Sequence, residues 1–459
     1  MRYPFATVQP SHKETIGFVA GKTAPGSPVE NAPSQSCSGG RRERTMVILT
    51  AVLGGLFAFL FLAAGVERPR TPCVDELSYV PVARALLHGT VPALPSQLPG
   101  WHHPPLGSYL ISFGITLAGD NPLGWRLASI VFGALTLVAI FLWSYLLVRN
   151  YRLALAAMLL TAFNNFWFVI SRLAMLDVFC FAFAMWGVVG ATAAFSLEAR
   201  VGFRRVCLLF SGVMFGLSMA CKWIAVDTLA VMFAVVVVLF LGAIIPAITP
   251  NENFAEAARK ARSVGWITLV LGILVAPALA YIATILAEFR EAHYAVSLKS
   301  ILDFHVAIYR VSKSFPGLAS IRAPWYSWPL RTSPMRGLSY LLGNFVVMWS
   351  GLVALLICLV RLRKGFRLAE IVVVLLYAAN LLQWAITPIK TPIYYYYYPA
   401  AMFLGPAIVV ALHQSGANRV RTGRICFFLV LGAAVFFMYC YPRMAYLEAP
   451  WDCMFGCWN

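Results

Sequence analysis

The feature that most constrains this chain is a succession of apolar runs, each long enough to cross a lipid bilayer. A transmembrane helix needs about 20 mostly apolar residues, because its backbone polar groups find no water in the hydrocarbon. The chain is 60% hydrophobic and only 12% charged, which argues against a soluble globular domain. We therefore predict an all-α polytopic membrane protein with about eleven spans, near 46–64, 124–148, 153–171, 176–197, 205–221, 223–246, 264–287, 339–360, 368–387, 394–412 and 424–441.

The basic residues predict the orientation of these spans. The net charge is +18, but the lysines and arginines fall between the apolar runs, which argues against a nucleic-acid-binding tract. With a cytoplasmic N-terminus, nearly every dense basic cluster lies on the cytoplasmic side, as the positive-inside rule expects. The segment 105–118 is about 14 residues long and therefore fits an interfacial helix better than a span.

The rest of the chain is assigned by composition. The first residues are rich in Pro, Gly and Ser and predict a disordered tail, and the following arginines and apolar run resemble an uncleaved signal anchor. A disulfide among Cys73, Cys453 and Cys457 stays open against free thiols. The predicted organisation is a cytoplasmic tail (1–45), a membrane domain (46–441) with outer loops at 65–123 and 288–338, and an outer C-terminal tail (442–459).

Ionisable residues that are far apart in sequence gather on the outer side of this topology. Asp75 and Glu76 directly precede LSYVPVARALLHG, an amphipathic stretch suited to an interfacial helix. An isolated acidic pair is usually just solvated, but a partly desolvated carboxylate at the water–lipid boundary makes a good general base. The convergence predicts an active site that includes Asp75, Glu76, His102, His103, Arg172, Asp177, Lys222, Lys390 and the tyrosine run 394–398.

Two cations near the ends of apolar runs are candidates for binding a lipid-linked phosphate. Arg172 precedes Asp177 in SRLAMLDVF, where snorkelling or a simple ion pair is the plainer interpretation. Lys222 in ACKWIAVD sits between two apolar runs, and pairing with Asp227 would make this lysine purely structural. Charges near the hydrocarbon are costly, so they tend to serve a function.

Histidines and tyrosines complete the candidate set. HHPPLG, which begins at His102, opens the short apolar segment with two prolines that suit a helix start, and incidental histidines are the alternative. Lys390 precedes five consecutive tyrosines in TPIKTPIYYYYYPA. An aromatic belt at the membrane interface is the ordinary explanation of such a run. A groove for a sugar or phosphate is the alternative, and the tyrosines alone do not decide.

In this order the motifs resemble the protein O-mannosyltransferases, the dolichyl-phosphate-mannose–protein mannosyltransferases of the GT-C glycosyltransferase superfamily. The resemblance covers most of residues 46–441 and is strongest over 75–225. It rests on the acidic pair Asp75-Glu76, His-Pro-Pro-Leu-Gly at His103 to Gly107, GDNPLGWR at Gly119 to Arg126, Arg-x-x-Met-Leu-Asp at Arg172 to Asp177, Lys222-Trp223, and the aromatic run before Pro-Ala at Tyr394 to Ala400.

The resemblance implies an inverting transferase that moves mannose from a polyprenyl-phosphate donor to Ser or Thr hydroxyls of proteins on the outer face of the membrane. Asp75 is the favoured base and Glu76 the alternative. Arg172, Lys222 and Lys390 would bind the donor phosphate. The substrates would contact His102, His103, Asp177, Trp223, Tyr394 and Tyr395.

Departures from the family pattern leave several points open. The loop 288–338 is too short for the β-trefoil insert of eukaryotic members, which indicates a compact bacterial-type protein of the cytoplasmic membrane. Ser108 stands where a lysine often follows the histidine motif. No ligand motif decides whether a divalent metal binds, and no small-residue stripe decides whether two copies pair.

Two other functions compete with this prediction. The second hypothesis keeps the fold and the donor class but uses a lipid acceptor, as in transferases that add aminosugars to lipid A. The third is a transporter, which is disfavoured because the sequence shows no inverted repeat or pair of broken helices.

Overall fold

Helices make up nearly all of the regular structure. The computed structural model describes residues 35–90, 102–245, 249–314, 323–335, 341–365, 367–387, 393–416 and 418–446. Within these ranges no β-strand occurs, and a single antiparallel bridge joins Met335 to Leu341. The α-helices are α1 (Gln35–Ala63), α2 (Glu76–Leu87), α3 (Leu106–Ala118), α4 (Pro122–Val148), α5 (Tyr151–Ala162), α6 (Asn165–Ile170), α7 (Leu176–Ser196), α8 (Val201–Cys221), α9 (Val226–Gly242), α10 (Glu252–Val264), α11 (Trp266–Val270), α12 (Ala276–Glu291), α13 (Leu298–Ser314), α14 (Phe345–Leu362), α15 (Leu368–Ile386), α16 (Tyr398–Met402), α17 (Leu404–His413) and α18 (Arg419–Met444).

Short irregular turns join some of these helices into longer segments. A π-helical turn, Leu271–Val275, connects α11 to α12. Two 3₁₀ turns precede α9 and α16, at Trp223–Ala225 and Tyr394–Tyr397. The described residues from Arg44 onward form one compact unit. α1 begins at Gln35, before the predicted start of the membrane domain.

Ten helical segments of the described residues are long and apolar enough to cross a membrane. They coincide with ten of the predicted spans and confirm a multi-pass integral membrane protein. The remaining prediction, 153–171, is two helices instead of one, because α5 ends at Ala162 and α6 begins at Asn165. Asn164 caps α6, and Asn344 Nδ2 donates to the carbonyl of Phe163 at 2.8 Å. These side chains satisfy the backbone groups that the break leaves free.

The segment between the first two spans contains the two short helices that the sequence predicted. α2 and α3 pack on each other, and α3 also packs along the first half of α4. α3 and α4 approach closely. A Cβ at Gly114 would overlap the carbonyl oxygen of Gly124, and a Cβ at Gly124 would overlap that of Gly119, directly after α3. This packing holds the segment after His103 against the bundle.

The two most buried spans are those that carry Asp177 and the tyrosine run. In Leu176–Ser196, 83% of the residues of the most apolar stretch are buried, and in Tyr394–His413 the share is 89%. The span Arg41–Ala63 within α1 is only 11% buried, and its large apolar side chains are exposed. Asp177 and the tyrosine run therefore lie in the interior of the bundle.

The basic clusters meet at the opposite end of the bundle from Asp75. Arg149, after α4, donates to the carbonyl of Ser196 at the end of α7. Arg361, at the end of α14, donates to the carbonyl of Ala411 in α17 at 2.6 Å. These contacts link the end of α4 to the end of α7 and the end of α14 to α17, and the positive-inside orientation stays a prediction.

Candidate active site

Asp75 lies immediately before α2, with its carboxylate free of the helix. Aspartate at such a position usually caps the helix amides, but the Asp75 side chain makes no capping hydrogen bond. Instead, the Tyr395 hydroxyl donates to Asp75 Oδ2 at 2.7 Å, and the Tyr79 hydroxyl is a further partner. Burial raises the pKa of the Asp75 carboxyl above its ordinary value, and the Lys222 ammonium opposes this shift. A carboxylate with a raised pKa suits a general base.

Lys222 and Asp177 form a buried ion pair close to Asp75. Lys222 follows α8 in an extended conformation, and Asp177 lies in the first turn of α7. Lys222 Nζ and Asp177 Oδ2 are 2.8 Å apart, and the two side chains are 7% and 1% exposed. Lys222 therefore pairs with Asp177, and the alternative pairing with Asp227 is wrong. Asp177 Oδ1 is buried without a hydrogen-bond partner among the described residues, so it offers an acceptor to a ligand.

His102 and His103 lie beside the same cluster. Their rings are 4.2 Å apart, and the His103 ring is 5.8 Å from the ring of Tyr79. Ser312 of α13 donates to the carbonyl of His102 at 3.2 Å. Burial lowers the pKa of His102 to about 4, and the Lys222 charge adds to this shift. The pKa of His103 is also well below its ordinary value because of burial, so both imidazoles are neutral near pH 7.

The tyrosine run contributes only some of its side chains to the cluster. The rings of Tyr395 and Tyr396 lie 5.7 and 5.3 Å from Lys222 Nζ, within cation–π range. Tyr394, in contrast, accepts a hydrogen bond from the Gly343 amide at 3.3 Å and is fully buried. Tyr395 therefore joins the predicted site, whereas the contacts of Tyr394 do not support a substrate-binding role.

Glu76 is occupied by structural contacts. Arg126 Nε and Nη2 donate to its two carboxylate oxygens at 2.8 and 2.7 Å. The amides of Cys73 and Ala174 donate to the same carboxylate at 3.1 and 2.8 Å. Neither side chain of the ion pair is exposed. Because a neutralised and saturated carboxylate is a poor base, these contacts favour Asp75 over Glu76.

Arg172 is also engaged in a structural contact. Its guanidinium donates to the carbonyls of Ala64 and Gly65 at 2.6 and 2.7 Å, at the end of α1. It also lies 4.9 Å from the ring centroid of Phe168. Two of the five N–H donors of Arg172 therefore bind the backbone, and these contacts give no support of their own to a phosphate-binding role.

Trp223 belongs to a second, adjoining cluster. Its indole Nε1 donates to the Tyr281 hydroxyl at 3.1 Å, and its ring is stacked on His305 of α13. The Tyr281 hydroxyl also lies 2.8 Å from His305 Nε2. Trp223 thus connects the segment after Lys222 to α13.

Three of the predicted residues, Lys390, Cys453 and Cys457, lie outside the described residues. Cys73 has no disulfide partner among the described residues, and its sulfur lies 3.5 Å from the Tyr446 hydroxyl. In the described part of the chain, no three His, Cys, Asp or Glu side chains gather as the ligands of a metal would.

Sequence reasoning missed Tyr79 and Arg126, and it named Tyr396 only as a member of the tyrosine run. Tyr79 is four residues after Asp75, so the helical period places it on the same face. Arg126 stands at the start of an apolar run, where the cost of an unpaired charge indicates a partner. No sequence pattern distinguishes Tyr396 from its neighbours, since the 3₁₀ turn at Tyr394–Tyr397 determines the direction of each tyrosine side chain.

Comparisons with known proteins agree with the resemblance over part of the chain. Residues 102–248 match the family model described as dolichyl-phosphate-mannose-protein mannosyltransferase. A polyprenol-phosphate-mannose–protein mannosyltransferase of Mycolicibacterium smegmatis is 33% identical over 143 residues, and one of Corynebacterium glutamicum is 29% identical over 178 residues. These matches cover 30% and 33% of this chain, and only 27% and 34% of the relatives' lengths. The resemblance is thereby confirmed for this stretch.

Solved structures confirm the fold over most of the chain. The protein O-mannosyltransferase Pmt1–Pmt2 complex of S. cerevisiae, bound to the sugar donor, matches with a TM-score of 0.75 at 13% identity. The match covers 91% of this chain and 92% of that chain. ArnT from Cupriavidus metallidurans, bound to undecaprenyl phosphate, matches with a TM-score of 0.58 at 13% identity, over 87% and 76% of the two chains. The chain therefore has the GT-C fold of membrane glycosyltransferases.

Proposed function

We propose that this chain, with a GT-C fold and a protein-mannosyltransferase segment at residues 102–248, transfers mannose from a polyprenyl-phosphate donor to Ser or Thr hydroxyls of proteins. The observation that carries the proposal is the placement of Asp75. Its carboxylate is held by Tyr395 near the buried Lys222–Asp177 pair, so a base and a cation lie close together.

The reaction is a direct displacement at the anomeric carbon. Asp75 accepts the proton of the acceptor hydroxyl as its oxygen bonds to the anomeric carbon. The bond between that carbon and the phosphate oxygen breaks, and the lipid phosphate leaves with the electron pair. A single displacement inverts the configuration of the anomeric centre.

The leaving phosphate develops charge next to Lys222. An ammonium group has three N–H donors, and Asp177 takes one of them. The others are available to phosphate oxygens, where a fixed cation in a buried site stabilises the transition state. Asp177 Oδ1 lacks a partner among the described residues and would accept a hydrogen bond from a sugar hydroxyl.

The names of the relatives support mannose as the sugar and protein as the acceptor. Both bacterial relatives are named polyprenol-phosphate-mannose–protein mannosyltransferase. The ArnT likeness supports the shared fold and carries no acceptor preference. A lipid acceptor is therefore treated as an outcome of the test.

The site would work on the outer face of a bacterial cytoplasmic membrane, with the N-terminus in the cytoplasm. The positions of the basic clusters support this orientation, because they meet at the bundle end opposite Asp75.

The test measures transfer of radiolabelled mannose from a polyprenyl phosphate to a Ser/Thr-rich peptide, with a lipid extract as the parallel acceptor. Asp75→Asn keeps the size of the side chain and removes the base, so we expect transfer to be abolished while membrane insertion is retained. Asp120→Asn is the matched control, because Asp120 is an exposed carboxylate paired with Arg84; we expect it to retain activity.

Label in the peptide, lost only with Asp75→Asn, would support both the reaction and the base. Full activity of Asp75→Asn would refute the role of this carboxylate. Label that appears only in the lipid fraction would replace the protein acceptor with a lipid one.

A further inference from the structure

A cavity of about 470 Å³ opens at the end of the bundle opposite Asp75. Its size is within the usual range of ligand sites, about 300–1,000 Å³. α7 runs from the Asp177 cluster to this cavity, and its 21 residues span about 30 Å. The inner walls are apolar and include Phe195, Met232, Val236, Leu239, Leu368 and Val372.

The polar residues of the cavity differ in how well their charges are neutralised. Lys260 is paired with two carboxylates, those of Glu198 and Glu256. Arg367 is 45% exposed. Its Nη1 donates to the side-chain oxygen of Gln414 at 2.9 Å, and its paired carboxylate oxygen, on Glu370, is 3.9 Å away. Arg367 is thus a loosely paired cation at the opening of an apolar cavity. We call the opening around Arg367 the mouth.

A second cavity of about 380 Å³ adjoins the mouth and also has Arg367 in its lining. Lys364, which is exposed, contributes a further positive charge to it, and Glu252 a negative one. α15 begins directly after Arg367 without a side-chain cap, so its first amides are free of a capping oxygen. Glu370 in that first turn offsets part of the helix dipole. Arginine, lysine and helix amides together suit a phosphate group.

We propose that this cavity binds an amphiphile with a phosphate headgroup. Its hydrocarbon chain would lie between the apolar ends of α7, α9 and α15, and its phosphate would contact Arg367 and Lys364. The apolar walls disfavour a free anion, whereas basic pockets between membrane helices suit anionic lipid headgroups. A membrane phospholipid and a polyprenyl phosphate share this chemistry. The site is separate from the Asp75 cluster and does not depend on the proposed reaction.

The test uses the purified full chain in nanodiscs that contain phosphatidylglycerol with a photoreactive diazirine in the acyl chain. After illumination, labelled peptides are mapped by mass spectrometry. We expect labelling near the ends of α7 and α9 and the start of α15. Arg367→Gln should lower this labelling about fivefold, as expected for the loss of one lipid-facing cation. Arg363→Gln, an exposed arginine of the same turn that does not line either cavity, should leave it unchanged.

A second variant tests the hydrocarbon part of the site. Ala369 lines the cavity from a partly exposed position, so Ala369→Phe fills the cavity with little risk to the fold and should also suppress labelling. Competition by unlabelled phosphatidylglycerol or by undecaprenyl phosphate would support the proposal and identify the source. Equal competition by inorganic phosphate, or labelling at these helix ends that neither variant changes, would overturn it.

Discussion

Replacing Glu76 with glutamine removes one charge from a fully buried ion pair and keeps the size of the side chain. Glu76 accepts two hydrogen bonds from Arg126 and one each from the amides of Cys73 and Ala174. The glutamine amide has only one oxygen, so part of this donor set loses its acceptor. Arg126 then remains buried and charged without a counter-ion.

The expected magnitude follows from burial. Removing one partner of a buried ion pair costs about 3–5 kcal/mol. The Arg84–Asp120 pair is 38% and 44% exposed, and such surface pairs contribute about 0–1 kcal/mol. We therefore expect Glu76→Gln to lower the free energy of unfolding by about 3–5 kcal/mol and Asp120→Asn by no more than about 1 kcal/mol.

The assay is a titration of the purified protein with sodium dodecyl sulfate in mixed micelles, followed by tryptophan fluorescence and far-UV circular dichroism. A Glu76→Met/Arg126→Met variant removes both charges, and we expect it to be more stable than the sum of the two single changes predicts. A loss below about 1 kcal/mol for Glu76→Gln, or simple additivity in the double variant, would refute the importance of this buried pair.

Three further predictions concern the site and the packing. Tyr395→Phe removes a hydrogen bond that stabilises the Asp75 carboxylate, so the pKa of Asp75 rises. We therefore expect the acidic limb of kcat/KM against pH to move to higher pH. An unchanged profile relative to the control Tyr394→Phe would contradict this. Lys222→Ala should raise the KM for the polyprenyl-phosphate donor much more than the KM for the peptide, and equal effects would indicate a purely structural lysine. Gly124→Ala should lower stability in the detergent titration by about 1–3 kcal/mol, because the new methyl overlaps a backbone carbonyl oxygen. The control Gly202→Ala has open space around it and should have little effect.

The membrane spans were predictable because the length of an apolar run alone identifies a crossing helix. The break between α5 and α6 was not, although Asn164 is visible in the sequence. The carbonyl of Phe163 finds its partner in Asn344, 181 residues later in the chain. No local pattern shows that such a partner exists, so the run 153–171 reads as one continuous helix.

The sequence predicted that the candidate site residues lie on the same face of the membrane, but it did not predict the contacts among them. Asp75 and Glu76 are neighbours with the same chemistry, and the sequence does not separate their roles. The separation depends on Arg126, 50 residues away, which occupies Glu76, and on Tyr395, 320 residues away, which binds Asp75. Lys222 likewise has carboxylates at Asp177 and Asp227, and only the fold shows that it pairs with the former.

The distance in sequence between Asp75 and Tyr395 also has a consequence for biogenesis. Chains are synthesised at about 5–20 residues per second, so the ribosome needs roughly 15–65 s to travel from the aspartate to the tyrosine. During that interval the nascent chain already contains Asp75, and in the later part also Lys222. Tyr395, whose hydroxyl binds Asp75, has not yet been made. A ribosome that stalls before the tyrosine run would therefore leave a fragment in which Asp75 lacks this hydrogen bond.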